Sequence, residues 1–265
     1  MNEAETSSPE VAPEAPAEET REAPRSQGHL AIQPFVTYTL VTALKVISRL
    51  FYRGEYRWVG DPPPNPWQDI RLVAILNHTS LFEWLWAGSV PQSFIRRMAR
   101  HGVVPVAEKT TQRPLVGQFF RLVARNVVAV TRKRDHTWKR VLDQLEGDTM
   151  VVMLPEGRMK RANGLDLHGN PMTIRGGIAD VLKALPDGRF LLAYSGGLHH
   201  VQHPGQTFPR LFQTIRMNFE VVDIRDYRRE LLERHGEDGF RHAVIADLER
   251  RRDTHCPPET TPSRG

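Results

Sequence analysis

Two short polar clusters, each closing an apolar run, hold the side chains with the greatest chemical reach. The first is Leu76-Asn77-His78-Thr79-Ser80-Leu81-Phe82-Glu83-Trp84. A histidine takes a proton from a hydroxyl near neutral pH, and does so better when a carboxylate holds its other ring nitrogen and stabilises the imidazolium. Glu83 lies five residues after His78. Inside one helix that spacing sets the two on different faces, but from an entering turn the carboxylate folds back to the ring. Ser80 and Glu83 also form a capping box, in which both side chains satisfy backbone N–H groups at a helix start. The spacing serves either purpose. The second cluster, Pro155-Glu156-Gly157-Arg158-Met159-Lys160-Arg161, closes the apolar run at residues 151–154. A strand end with glycine and clustered cations binds phosphate through backbone N–H groups and charge, and a solvated basic loop has the same composition.

The elements that must position these clusters follow from hydrophobic periodicity. Residues 56–59, 72–76, 103–107, 127–131, 150–154, 190–194 and 214–222 read as strands. Residues 81–100 (broken at Pro91), 115–124, 137–145 and 174–185 read as helices, and two charged helices near 227–234 and 240–251 close the domain. The alternation predicts an α/β fold, a mixed sheet covered by helices, with both clusters at strand ends, where α/β proteins place reactive groups. Ahead of the sheet, Phe35, Val36, Leu40, Val41, Leu44, Ile47, Leu50 and Phe51 recur at helical spacing, and Lys45, Arg49 and Arg53 form a basic stripe. Residues 32–53 are thus an amphipathic helix, either docked on the domain's own core or lying in a lipid interface. Residues 1–28 are acidic and rich in Pro and Ala, and residues 254–265 are similarly poor in apolar groups; both read as disordered tails around a domain at 29–253. The N-terminus lacks the pattern of a signal peptide, and no window holds about 18 consecutive apolar residues, so no transmembrane span is expected.

Together the two clusters resemble the lysophosphatidate and glycerol-phosphate acyltransferase family. The family's first motif is His, four residues, then Asp; His78 matches, Glu83 stands in place of Asp, and Asn77 and Ser80 fit the surrounding run. Its third motif, roughly Pro-Glu-Gly-Thr-Arg-Ser, is matched by Pro155, Glu156 and Gly157, with Arg158 one place early. Asn126-Val127-Val128-Ala129-Val130-Thr131-Arg132 aligns with the second motif, Asn126 replacing Gly. Lys109, followed by Pro114-Leu115-Val116-Gly117, looks like the stretch between the first two. The fourth motif is present only as the strand at 190–194, without its proline. The resemblance covers residues 32–200. It implies acyl transfer to a lysophospholipid-like hydroxyl with no metal or cofactor, acyl-CoA or an acyl carrier protein serving as co-substrate. His78 would be the general base and Glu83 its orienting carboxylate. Arg132, Glu156, Gly157, Arg158 and Lys109 would hold the substrate's polar head. The departures, above all the shifted Arg158 and the added Lys160 and Arg161, bear on the acceptor more than on the chemistry.

Charge is uneven. Residues 1–27 hold seven Glu and two Arg, a net of −5, leaving +10 on the rest of a chain whose total is +5. A body this basic suits an anionic partner such as lipid headgroups or a phosphorylated substrate. Its basic residues are scattered and no nucleic-acid recognition motif appears, so nucleic acid is not an expected partner. The single cysteine, Cys256, forms no internal disulfide and fits a reducing compartment. The expected setting is the cytoplasmic face of a membrane. Two rival readings remain at this stage: a hydrolase of acyl thioesters using the same His78–Glu83 pair, and a non-catalytic protein that binds membrane surfaces. His199, His200 and His203 read as a surface cluster rather than metal ligands, and Ser195-Gly196-Gly197 fails the nucleophile-elbow pattern. Core packing and the lining of an acyl channel are both open to Trp84 and Trp86.

Overall fold

The computed structural model describes residues 27–112, 114–124, 126–131, 136–145, 147–203, 206 and 208–259. In chain order its elements are α1 (Gln27–Phe51), β1 (Arg53–Trp58), β2 (Ile70–Leu76), a 3₁₀ helix (Leu81–Gly88), α2 (Gln92–His101), β3 (Gly102–Ala107), α3 (Glu108–Thr111) and α4 (Pro114–Val123). There follow β4 (Asn126–Val130), α5 (His136–Leu142), β5 (Met150–Met153), α6 (Gly177–Ala184), β6 (Arg189–Ser195), β7 (Thr214–Asp223) and α7 (Ile224–His255). The fold is α/β, as the alternation predicts. The seven strands form one mixed sheet in the order β1-β7-β6-β2-β5-β3-β4. Strands β6, β2, β5, β3 and β4 are mutually parallel, β7 runs antiparallel to β6, and β1 runs parallel to β7. The carboxyl ends of the five parallel strands therefore share one edge. The chain leaves that edge at Asn77, Glu108, Thr131, Leu154 and Gly196.

Both faces of the sheet are covered, which is why its central strands read as continuous apolar runs rather than alternating ones. Leu72, Ala74, Leu76, Phe190, Leu192 and Tyr194 pack under α6 and α7, against residues such as Ile178, Leu182, Phe240 and Val244. Val73, Leu191, Ala193, Ile215, Met217 and Phe219 face the other way, against Val41, Leu85, Trp86, Phe94 and Ile95 of α1, the 3₁₀ helix and α2. A register shift between Ile70 and Leu72 puts Ile70 on the same face as Val73.

Three boundaries differ from expectation for physical reasons. The stretch expected to open as an α-helix at residue 81 opens as a 3₁₀ helix, because Phe82 leaves helical backbone angles (φ −88°, ψ 18°) directly behind a capped turn. The two charged helices form one run, α7, interrupted at Gly236, whose φ of 66° lies in the left-handed region that glycine enters without a Cβ clash. Residues 254–259, expected to lie in a C-terminal tail, are part of the fold, and residues 260–265 lie outside the described residues. Helix α7 runs to His255, and residues 256–259 continue along the fold, with Cys256 packed against the core. Of the acidic N-terminal tail, residues 1–26 lie outside the described residues.

Helix α1 docks with its polar side inward. Thr37, Val41, Lys45 and Ser48 are buried, while Ile32, Phe35, Val46, Ile47 and Leu50 are exposed. The inward groups meet carbonyls at and just after the end of the 3₁₀ helix. Ser48 Oγ donates to the Leu85 carbonyl (2.6 Å), Arg49 Nε to Gly88 (2.9 Å) and Lys45 Nζ to Val90 (2.7 Å). Carbonyls at a helix end have no partner within the helix, so basic and hydroxyl side chains are drawn to them. Two members of the basic stripe, Lys45 and Arg49, thus serve to dock the helix. By length and composition, Ile32–Phe51 is also long and apolar enough to cross a membrane. Counting only consecutive apolar residues missed this, because Thr, Lys and Arg punctuate the run.

The candidate active site

Strand β2 ends at Asn77, whose φ of 66° turns the chain sharply away from the sheet. Asparagine enters this region more readily than most residues because its side chain bonds locally; here Nδ2 donates to the Ser195 carbonyl at the end of β6 (2.9 Å). On the other side of β2, Glu156 accepts the Asn77 N–H with one oxygen (3.0 Å) and the His78 N–H with the other (2.8 Å). The His78 carbonyl accepts from the Lys160 N–H (2.7 Å). The buried Thr79 hydroxyl accepts from the Leu198 N–H (2.7 Å). Loops from both neighbouring strands therefore fix the backbone that carries His78.

The ring of His78 meets Glu83. Nδ1 lies 3.2 Å from Oε1, with the histidine side chain 17% exposed and so within reach of a substrate. A carboxylate only accepts, so the bond puts the ring proton on Nδ1 and leaves the lone pair on Nε2, turned away from Glu83. The same Oε1 receives the N–H groups of Thr79 (3.1 Å) and Ser80 (3.4 Å), and Oε2 receives the indole N–H of Trp86 (2.5 Å). Ser80 Oγ accepts from the Phe82 N–H (3.2 Å), completing a capping box. Capping and histidine partnership, alternatives in the sequence, are one arrangement here. The cap holds the carboxylate in the place the ring requires.

The acyltransferase family model matches residues 63–193. That stretch begins just before β2, contains the His78–Glu83 pair and the Glu156 turn, and ends within β6. It belongs to the acyltransferase family. No curated protein matches the chain. The matched segment supplies β2, β3, β4, β5 and most of β6, the parallel part of the sheet, and every strand end named above except that of β6.

The remaining expected site residues divide. Glu156 lies beside the His78 turn but faces inward. It is 2% exposed, and both of its oxygens serve the turn before and at His78. Burial pushes its carboxyl upward, against the pull of the His78 and Asn77 N–H groups and of Arg252, 3.5 Å away. Gly157 has φ of 61°, and a Cβ there would meet only Arg175 at 3.6 Å, so the need for glycine is conformational. Arg158 pairs with Asp166, with its Nε unpartnered. Burial alone would raise the carboxyl of Asp166, but the Asn170 and His168 N–H groups, the Asn170 side chain and Arg158 hold it well below the usual carboxylate range. Lys109 is exposed on α3, at the carboxyl end of β3, two strands from β2. Arg132 lies outside the described residues.

The histidine trio is not a surface cluster. His199 and His200 are buried, fixed by the carbonyls of Lys160 (2.9 Å) and Thr214 (2.7 Å). Burial lowers the pKa of His200. Among the described residues, no group of three His, Cys, Asp or Glu side chains is placed to hold a metal ion. Two contributors carry no motif signal: Arg252, beside Glu156, and Trp86, whose indole reaches Glu83. The three-residue spacing from Glu83 to Trp86 is the one hint the sequence offers for the latter, since i and i+3 share a helical face.

Proposed function

We propose that the protein transfers a fatty acyl group from acyl-CoA or an acyl carrier protein to a hydroxyl of a lysophospholipid-like acceptor at a membrane surface. The observation that carries this reading is the 3.2 Å contact between His78 Nδ1 and Glu83 on a backbone clamped by Glu156. His78 Nε2 takes the proton of the acceptor hydroxyl as its oxygen attacks the thioester carbonyl. Glu83 stabilises the imidazolium that forms. The tetrahedral intermediate collapses, the C–S bond breaks, and the imidazolium returns its proton to the departing thiolate. No group beyond the two substrates is consumed. In this scheme Glu156 is a positioning residue. Gly157 gives the turn its shape, and the positive charge of Lys109, Arg132 and Arg158 attracts the acceptor's anionic head.

The outward apolar face of α1 supports the membrane setting. A helix that spends its polar side chains on its own domain and leaves Phe35 and Leu50 about 70% exposed presents that face to lipid. Phe212 extends the face, since its N–H bonds to the Phe51 carbonyl (2.7 Å) and its ring stands 6.0 Å from that of Phe51. The test is product analysis with a radiolabelled acyl-CoA and vesicles with or without lysophospholipid. The proposal expects thiol release to depend on the acceptor and to match diacyl product. Free fatty acid released at the same rate without acceptor would replace it with thioester hydrolysis.

A further inference from the structure

Three features remain unused by the reaction above: the Gly196-Gly197 turn after β6, the buried His199, and Lys160 in the turn after β5. They meet at one residue, Glu259. Its carboxylate lies 2.8 Å from Lys160 Nζ and 3.2 Å from His199 Nδ1. The segment that brings it there rests on the two glycines. A Cβ on Gly196 would come within 3.3 Å of Pro257, and one on Gly197 within 3.2 Å of Glu259, so the turn is bare where the segment crosses it. The groups that face the carboxylate are held in place. His199 is 7% exposed, and its Nε2 donates to the carbonyl of Lys160, so the two groups that face the carboxylate orient each other. Glu259 is held in its ionised form: burial opposes this, but Lys160 and His199 outweigh it and lower its pKa.

The place is joined to the catalytic turn. The Lys160 N–H bonds to the His78 carbonyl, and Leu198, next to His199, bonds to Thr79. Beside it opens a cavity of about 430 Å³, lined by Lys160 and Glu259 together with Asn77, Glu156 and Arg252. Arg252 pairs with Glu156 and Asp253, and Glu259 is the carboxylate that faces Lys160 Nζ and His199 Nδ1.

We infer that Lys160 and His199 form an anion site for a phosphate monoester, filled in the free protein by Glu259, and that the ligand enters by displacing the segment 257–259. The inference rests on the reading that a phosphate-bearing substrate binds at this sheet edge, but its test does not require turnover. A tethered carboxylate competes at a high effective concentration, so removing its charge strengthens binding of a free anion. Inorganic phosphate, titrated calorimetrically into the full chain and into Glu259→Gln, should bind the variant roughly two- to fivefold more tightly, the scale of one partly exposed ion pair. Lys160→Ala should lose that binding. A chain ending at residue 256 should reproduce the Glu259→Gln result, and near-ultraviolet circular dichroism shows whether each variant is folded. Equal phosphate affinity in the parent, Glu259→Gln and the shortened chain, all folded, overturns the inference. The source of the phosphate is read from kinetics. A lowered acceptor KM in Glu259→Gln assigns the site to the acceptor's head, and a lowered acyl-CoA KM assigns it to the donor's phosphate. Tighter phosphate binding with neither KM changed assigns it to free phosphate. Failure of acyl transfer with phosphate binding intact would count against the proposed reaction and not against the site.

Discussion

Glu83 does several jobs with two oxygens, and this changes what a substitution there reveals. Glu83→Gln presents an NH₂ group either to the Trp86 indole N–H or to the Thr79 and Ser80 N–H groups, a donor facing a donor. The variant should lose about 1–3 kcal/mol of stability, the cost of a buried unmet donor. It should also lose roughly 10²–10⁴ of kcat, because an amide does not stabilise the imidazolium. Adding Trp86→Phe removes one of the opposed donors. The double variant should recover part of the melting temperature and none of the kcat, and recovery of both together would reduce Glu83 to a cap. Glu156 offers a second contrast. If it clamps the His78 backbone, Glu156→Gln lowers kcat roughly ten- to a hundredfold through misplacement of the base and leaves the acceptor KM unchanged. A raised acceptor KM with intact kcat would show instead that it holds the acceptor. The pairing of His78 with Glu83 was legible in sequence because the partners are five residues apart. The turn of Glu156 toward His78 was not, since it spans 78 residues and depends on β5 lying beside β2.

At the scale of elements, the inner strands were legible to within about two residues, since a strand buried on both faces is a continuous run of Val, Ile, Leu and Ala, whereas the exposed edge strand β1, expected at 56–59, begins at Arg53. The sense of α1 was not. Its apolar stripe suits the core and a lipid interface equally, and what decides between them is that the domain offers the helix carbonyls at and just after the end of the 3₁₀ helix. Lys45, Ser48 and Arg49 answer those, and the apolar side is left outside. Phe35→Asp and Leu50→Asp should therefore leave the melting temperature nearly unchanged, as both side chains are exposed. Each forfeits about 1.5–3 kcal/mol of apolar burial in lipid, so sedimentation with vesicles should weaken by at least roughly tenfold per substitution. Vesicle binding that survives both changes would place the membrane contact elsewhere.

For the whole molecule, an acidic segment of net −5 precedes a body of net +10. Like charges repel and unlike attract over about 10 Å at ordinary salt, so the segment offsets attraction of the body to an anionic bilayer. Deleting residues 1–26 should strengthen binding to anionic vesicles at low ionic strength, with the difference vanishing at high salt; no difference at either would show that the two parts do not share a field. In the proposed reading, the fold, the exposed apolar face of α1 and the sheet edge serve one reaction at His78. The most direct measurement is kcat of His78→Ala beside the parent, followed as diacyl product from acyl-CoA and lysophospholipid in vesicles, with thermal unfolding of both. The account predicts a fall of roughly 10²–10⁴, the contribution of a general base, with the melting temperature preserved. Turnover in a folded His78→Ala close to that of the parent would contradict it.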